Sequence, residues 1–262
     1  MLYPTLAIEQ LFSVKGKTAV VTGGSRGIGL MIAKGYIENG AKVYISSRKA
    51  EVCNEVAEEL SKVGECISIP ADLANREGWD TLVNGIKEKE DSLDILVNNA
   101  GAVWAEPFDE FPESGYDRTM DINLKGVFFL TQMLMPLLEK NHTQEDPARI
   151  INIGSIDGIM TPGTDNFPYG PSKAAVHHLT KILAIRLASR GVTVNAIAPG
   201  PFESKMMKYS LDNFRDRIEA GNPMGRIGSP EDMAALSIFL ASPGASYVNG
   251  TVIPLDGGIR AR

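Results

Sequence analysis

Short apolar, β-branched runs alternate along the chain with longer amphipathic stretches. The short runs are TAVVT (18–22), KVYIS (42–46), ECISIP (65–70), LDILVN (93–98), RIINI (149–153), VTVNAIA (192–198) and TVIPL (251–255). Between them lie helical patterns such as GLMIAKGYIEN (29–39) and AEVCNEVAEELSKV (50–63). Several short runs are continuously apolar rather than alternating, which suits strands covered on both faces by helices. Seven strands with helical crossovers predict an α/β fold with a doubly wound, mainly parallel sheet. No repeat or linker splits the chain, so residues 1–262 read as one domain. Two segments are irregular: the polar KNHTQEDPAR (140–149) and the long stretch from Pro199 to Pro230, bounded by Gly and Pro. A segment of that length is often a lid or binding element. The alternative is a surface excursion that folds into short helices.

Composition narrows the class without naming a function. Hydrophobic content of 44% and charged content of 22% are ordinary for a soluble globular protein. A chain of 262 residues builds a core that needs neither disulfides nor metals. Cys53 and Cys66 make no CxxC and no metal spacing, which fits a reduced compartment. A net charge of −6 argues against nucleic acid as a main partner. No apolar run is long enough to span a bilayer. MLYPTLAIEQ lacks the charged and apolar regions of a signal peptide. The expected location is the cytoplasm.

The first strand leads into TGGSRGIGLMIAKGY, a glycine turn followed by a helix. Such a turn aims helix N–H groups at an anion, where the macrodipole is also favourable. The spacing is TGxxxGxG, with Gly23, Gly27 and Gly29. NNAG (98–101), Asn123 in MDINLKGVFF, INIGS (151–155), Tyr169-x-x-x-Lys173, NAIAPG (195–200) and LDGG (255–258) follow in order. Together these resemble the short-chain dehydrogenase/reductase family over nearly the whole chain. The resemblance implies a Rossmann-type domain and a nucleotide held by Gly23, Ser25, Arg26, Gly27, Ile28 and Gly29.

In dinucleotide folds an acid after the second strand holds the ribose 2′-hydroxyl of NAD. Here that place reads Ser46, Ser47, Arg48, Lys49, and the first acid is Glu51. A carboxylate would repel a 2′-phosphate, whereas Ser47 and the planar fork of Arg48 would bind one. Arg26 can approach the same phosphate. The cofactor reading is therefore NADP(H), against the alternative that Arg48 and Lys49 merely start a solvated helix. By resemblance, Asp72 and Leu73 in PADLAN neighbour the adenine ring, although Asp72 could instead be an N-cap. The resemblance also implies that Asn98 braces adjacent strands and that Asn99, Ala100 and Gly101 run beside the adenosine ribose. It implies too that Pro199 and Gly200 border the nicotinamide, and that Ser204 falls near its carboxamide.

Residues at i and i+4 share a helix face, so Tyr169 and Lys173 point together near a first turn, where Pro171 is tolerated. A phenol has an ordinary pKa of about 10, and a nearby ammonium is expected to lower it. The pair thus reads as a proton donor to a carbonyl oxygen and its tuner. By resemblance, Lys173 also holds the nicotinamide ribose, Ser155 orients the substrate oxygen, and Asn123 positions a main chain and water for proton relay. Ser155 precedes Tyr169 by 14 positions, one more than the family's common spacing. The extra residue falls in IDGIMTPGTDNFP, so the pocket wall at 156–168 is the part in question. His177 and His178 point about 100° apart on a helix, without a ligand set for a metal, and read as helix-face residues. No metal is called for.

TGGSRGIGLMIAKG, PARIINIGS, YGPSKAA and IAPG…PMGR look especially like bacterial 3-oxoacyl reductases, the rhamnolipid-pathway reductase among them. A 3-ketoacyl thioester is the leading substrate. A sugar, steroid or simple alcohol dehydrogenase is the alternative within the family. A non-catalytic NADPH-binding regulator or scaffold is the alternative outside it. The resemblance also implies a homo-oligomer, tetramer or dimer, joined through helices around 115–139 and 170–190 and the C-terminal segment.

Overall fold

A computed structural model describes residues 6–161 and 163–261. MLYPT, the first half of the N-terminal segment read above, lies outside the described residues, as does Pro162 in the 156–168 wall. The strands are β1 (Thr18–Thr22), β2 (Lys42–Ser46), β3 (Cys66–Ser68), β4 (Ile95–Asn98), β5 (Ala148–Ile153), β6 (Val192–Pro199) and β7 (Val252–Leu255). They form one parallel sheet in the order β3-β2-β1-β4-β5-β6-β7. The helices are α1 (Ile8–Leu11), α2 (Gly27–Glu38), α3 (Ala50–Leu60), α4 (Arg76–Lys87), α5 (Glu113–Met120), α6 (Val127–Leu138), α7 (Tyr169–Leu187), α8 (Lys208–Ala220) and α9 (Pro230–Ala241).

The continuous apolar strands are explained by two cores. Ala19, Val21, Val43, Ile45, Ile95 and Val97 face one core, with Ile32, Tyr36, Cys53 and Met233 from α2, α3 and α9. Val20, Tyr44 and Leu96 face the other, with Leu82, Ile86, Leu134 and Leu138 from α4 and α6. Successive side chains thus enter opposite layers. Burying each such large side chain is worth roughly 1.5–3 kcal/mol. Cys53 and Cys66 are free and buried.

The edge strands are shorter than the sequence pattern suggests. β3 holds Cys66–Ser68 of the expected 65–70, although Ile69 N–H still donates to Ile45 O at 2.9 Å and Ala71 N–H to Ser47 O at 3.1 Å. Pro70, between them on an edge strand, costs no bond to β2. β7 starts at Val252, and its Pro254 is tolerated because the strand is an edge. The start expected at Leu93 moves to Ile95, because Leu93 N–H donates to Leu137 O instead. The 199–230 excursion folds around α8, kinked at Phe214.

The chain reverses direction across the sheet between β1 and β4. In such sheets the crevice beyond the strands' carboxyl ends at this switch is where ligands bind. Thr22 and Asn98 end the two strands there.

Candidate active site

The glycine turn closes the end of β1. Gly23 (φ 67°) and Gly27 (φ 52°) adopt the left-handed region, which a side chain would oppose. Gly23 N–H donates to Ser46 O at 2.7 Å. From the other flank, Asn99 Nδ2 donates to Thr22 O at 2.8 Å and Gly23 O at 3.3 Å. The Asn99 and Ala100 N–H groups both donate to Thr22 Oγ1 at 2.9 Å. The Asn99 side chain is therefore committed to bracing the turn. Ser25 and Gly29 are buried, Ile28 is half-buried and Arg26 is exposed. Ser204 folds back over the same turn: a Cβ at Gly27 would lie 3.1 Å from its Cβ. Pro199 ends β6, and Gly200 N–H is held by Leu255 O at 2.9 Å.

At the end of β2, Ser46 and Ser47 each bury a side-chain hydroxyl with no partner, and Arg48 is exposed beyond them. An unsatisfied buried hydroxyl costs about 1–3 kcal/mol. Asp72 is half-buried and accepts from Ala74 N–H at 3.2 Å. It is not an N-cap: Asn75 caps α4, accepting from Gly78 N–H at 2.9 Å. Leu73 is buried, and its carbonyl accepts from Trp79 Nε1 at 2.8 Å. Asn98 bridges β4 to β5, donating to Asn152 Oδ1 at 2.9 Å, and reaches Thr131 Oγ1 at 3.1 Å.

Asn123, Ser155, Tyr169 and Lys173 converge beside this crevice. Tyr169 opens α7, and Lys173 follows one turn later. Lys173 Nζ lies 5.7 Å from the centroid of the Tyr169 ring and donates to Ile153 O at 2.8 Å. Ser155 hydrogen-bonds the Tyr169 side chain, and its Oγ accepts from Asp157 N–H at 3.1 Å. Asn123 sits on a wide π-turn, Asp121–Gly126, inserted between α5 and α6. Such turns recur at functional sites. Its Oδ1 accepts from Ala102 N–H at 2.8 Å, while Nδ2 donates to Ala102 O at 3.0 Å and Ser172 Oγ at 2.9 Å. Ser172 Oγ in turn donates to Tyr169 O at 2.7 Å. Gly101 adjoins both polar groups: a Cβ there would stand 3.3 Å from Asn123 Oδ1 and 3.6 Å from Lys173 Nζ.

The electrostatics correct one expectation. Lys173 was expected to lower the Tyr169 pKa, but burial pushes it up to about 12, the Asp157 charge adding and the Ser155 hydrogen bond opposing. Burial also pulls Lys173 down to about 8, so its charge is costly to keep. Burial raises Asp157.

Two participants were missed. Ser172, inside YGPSK, links Asn123 to the Tyr169 backbone; its spacing three residues after Tyr169 was the available signal. His177, read as a helix-face residue, is buried beneath the Ser155 turn, whereas His178 is exposed.

A family model described as Enoyl-(Acyl carrier protein) reductase, of the short-chain dehydrogenase type, matches residues 23–260. The chain belongs to the short-chain dehydrogenase/reductase family. Among its relatives in that family is the Rhamnolipids biosynthesis 3-oxoacyl-[acyl-carrier-protein] reductase of Pseudomonas aeruginosa. The two are 48% identical over 250 residues, 94% of this chain and 97% of that protein. The fold matches the Pseudomonas aeruginosa RhlG/NADP active-site complex with a TM-score of 0.92 at 47% identity, covering 95% and 98% of the two chains. It also matches a gluconate 5-dehydrogenase from Burkholderia cenocepacia in complex with NADP and tartrate. There the TM-score is 0.90 at 30% identity, covering 98% of this chain and all of that one (100%).

Proposed function

We propose that this short-chain reductase uses NADPH to reduce a carbonyl to a secondary alcohol, and that its substrate is a 3-ketoacyl thioester. The observation that carries the reaction type is the convergence of Asn123, Ser155, Tyr169 and Lys173 beside the glycine turn. The residues present fit the cofactor. The Gly23–Gly29 turn would cradle its pyrophosphate, while Ser47 and Arg48 meet a 2′-phosphate without an opposing acid. Ser25, Arg26 and Ile28 belong to the same cradle, with Asp72 and Leu73 toward the adenine and the backbone of Asn99, Ala100 and Gly101 along the ribose. Pro199, Gly200 and Ser204 complete the nicotinamide end.

When bound, the cofactor supplies the hydride. The chain handles the proton. Tyr169 gives its phenolic proton to the developing alkoxide, and Ser155 orients the same oxygen. The Lys173 ammonium offsets the charge left on the phenolate. Asn123 pins the Ala102 backbone, keeping the floor beside Lys173 in place for proton return.

An apolar mouth supports the acyl substrate over a polyol. Phe108 and Phe111 meet Phe167 edge-on at 5.3 and 5.9 Å. Glu106 N–H donates to Asp165 O at 3.1 Å, tying their two loops together. Phe108 and Phe167 remain exposed, as do Ile159 and Met160 nearby in the wall. Such surface suits an alkyl chain.

One domain carries the whole site, with the 199–230 excursion as its substrate wall. Exposed Phe128 on α6 and Ile182 and Ile185 on α7 support a homo-oligomer, tetramer or dimer, joined through these helices. A cytoplasmic location suits the cofactor; among the described residues no helix is long and apolar enough to cross a membrane.

The test is NADPH oxidation with a 3-ketoacyl thioester, a plain ketone, a ketosugar and a steroid ketone. Turnover of the thioester is expected, falling about 10²–10⁴-fold in Tyr169→Phe. Preference for the ketosugar would overturn the acyl reading; NADPH binding without any turnover would overturn the enzyme reading.

A further inference from the structure

His177 takes no part in the proton path above, yet it is 7% exposed and lies against the turn that carries Ser155. Tyr169, Lys173 and His177 stand at i, i+4 and i+8 of α7, so they share a face. Nε2 of His177 accepts the Ser155 N–H at 3.4 Å. The Gly158 backbone is the ring's second hydrogen-bond partner. These two partners lie at opposite ends of the 3₁₀ turn Ile156–Gly158 and its cap Ser155.

The flanking glycines fit the ring. A Cβ at Gly154 would fall 2.6 Å from Cδ2 of His177, and one at Gly158 would fall 2.9 Å from Cε1. Real Cβ atoms do not approach so closely, so the imidazole occupies space that only glycine leaves. Gly154 N–H meanwhile donates to Ile197 O at 2.7 Å, fixing the other side of the same bend.

We propose that His177 is a positioning residue for the reductase: a neutral imidazole that clamps both ends of the Ser155–Gly158 turn and thereby aims the Ser155 hydroxyl at Tyr169. The inference rests on the reductase reading for its kinetic consequence, though not for the clamp itself. A neutral imidazole offers one donor and one acceptor. With Nε2 accepting from Ser155, the proton resides on Nδ1 and serves Gly158. Burial and the Lys173 charge hold the ring down to about 4, so it stays neutral at working pH. The charged groups acting on the ring are Lys173 and Lys181 of its own helix, and Asp157 stands on the turn it clamps. The clamp leaves Ser155 Oγ with one backbone bond, from Asp157 N–H, and frees its hydrogen for an oxygen acceptor.

Two measurements decide it. The chain has three histidines, so nitrogen-15 imidazole spectra of the intact protein are assigned by comparing wild type with His177→Gln. The expected signature is a His177 ring with its proton on Nδ1, unchanged from pH 5 to 8. A proton on Nε2, or titration near the ordinary value of about 6.5, would overturn the clamp. In the thioester assay, His177→Leu should lower kcat about 10–100-fold, the scale of a misplaced catalytic group, with NADPH affinity unchanged by fluorescence titration. His177→Gln, which restores an acceptor within reach of Ser155 N–H, should recover most of that loss. Equal rates for Leu and wild type, or a Gln variant no better than Leu, would refute the positioning role. If wild type turns over no carbonyl, the reductase reading and the kinetic role fail together, and the spectra alone judge the clamp.

Discussion

Replacing Lys173 by Met should make the protein more stable while abolishing its activity. Burial lowers Lys173 from 10.5 to about 8, so the protonated side chain costs the fold about 3 kcal/mol below pH 8. Met fills the same length without charge, but it strips Ile153 O of its donor at 2.8 Å. Losing that bond costs about 1–2 kcal/mol. The net gain is about 1–2 kcal/mol, or roughly 3–6 °C in Tm for a chain of this size. The pH dependence has a definite sign. Below pH 8 both folded and unfolded chains hold the lysine proton, and the penalty is complete. Between about 8 and 10.5 the folded state gives up its proton first, so stability rises with pH in wild type. Met cannot respond, and its advantage should shrink by about 2 kcal/mol by pH 9.5. Calorimetry of the cofactor-free proteins at pH 7 and 9.5 measures both effects. A Tm below wild type at pH 7, or a gap that does not narrow with pH, would refute the reasoning.

Arg48→Glu should lower kcat/KM with NADPH about 10–100-fold, by replacing a phosphate fork with a repelling acid, and leave NADH turnover unharmed; parallel kinetics with the two cofactors check this. Asp157→Asn removes the charge that helps hold Tyr169 up near 12, so the Tyr169 phenol should titrate at lower pH in an ultraviolet titration referenced to Tyr169→Phe. An unmoved titration would mean that Asp157 does not act on the phenol.

Much of the crevice was legible because its parts are local. The glycine turn, Tyr169–Lys173 on one helix face and the missing acid after β2 each follow from spacing or residue type alone. The central strands were legible for a different reason: both faces are buried, so apolar residues run on unbroken. At the edges that pressure relaxes: Ile67 and Ser68 of β3 and all four residues of β7 are only half-buried, so the apolar pattern marks their ends less sharply. Long-range competition was not legible. Spacing put an ammonium near the phenol, but only the fold shows that burial outweighs it at Tyr169. Nor does the pair of adjacent histidines reveal which one meets Gly154 and Gly158 across a gap of some twenty residues.

The wide turn at Asp121–Gly126 has a consequence for heredity. It is a matter of residue count rather than of residue type, since the helical path from Glu113 to Leu138 stays unbroken through it. Exchanging side chains leaves that count intact, and only loss or gain of a codon changes it. Drift by substitution can therefore change the exposed faces of both flanking helices while Asn123 keeps its grip on Ala102. A length change would set the two halves of the path out of phase by about 100°. The phase of this corner is set by the number of codons, which substitution leaves unchanged.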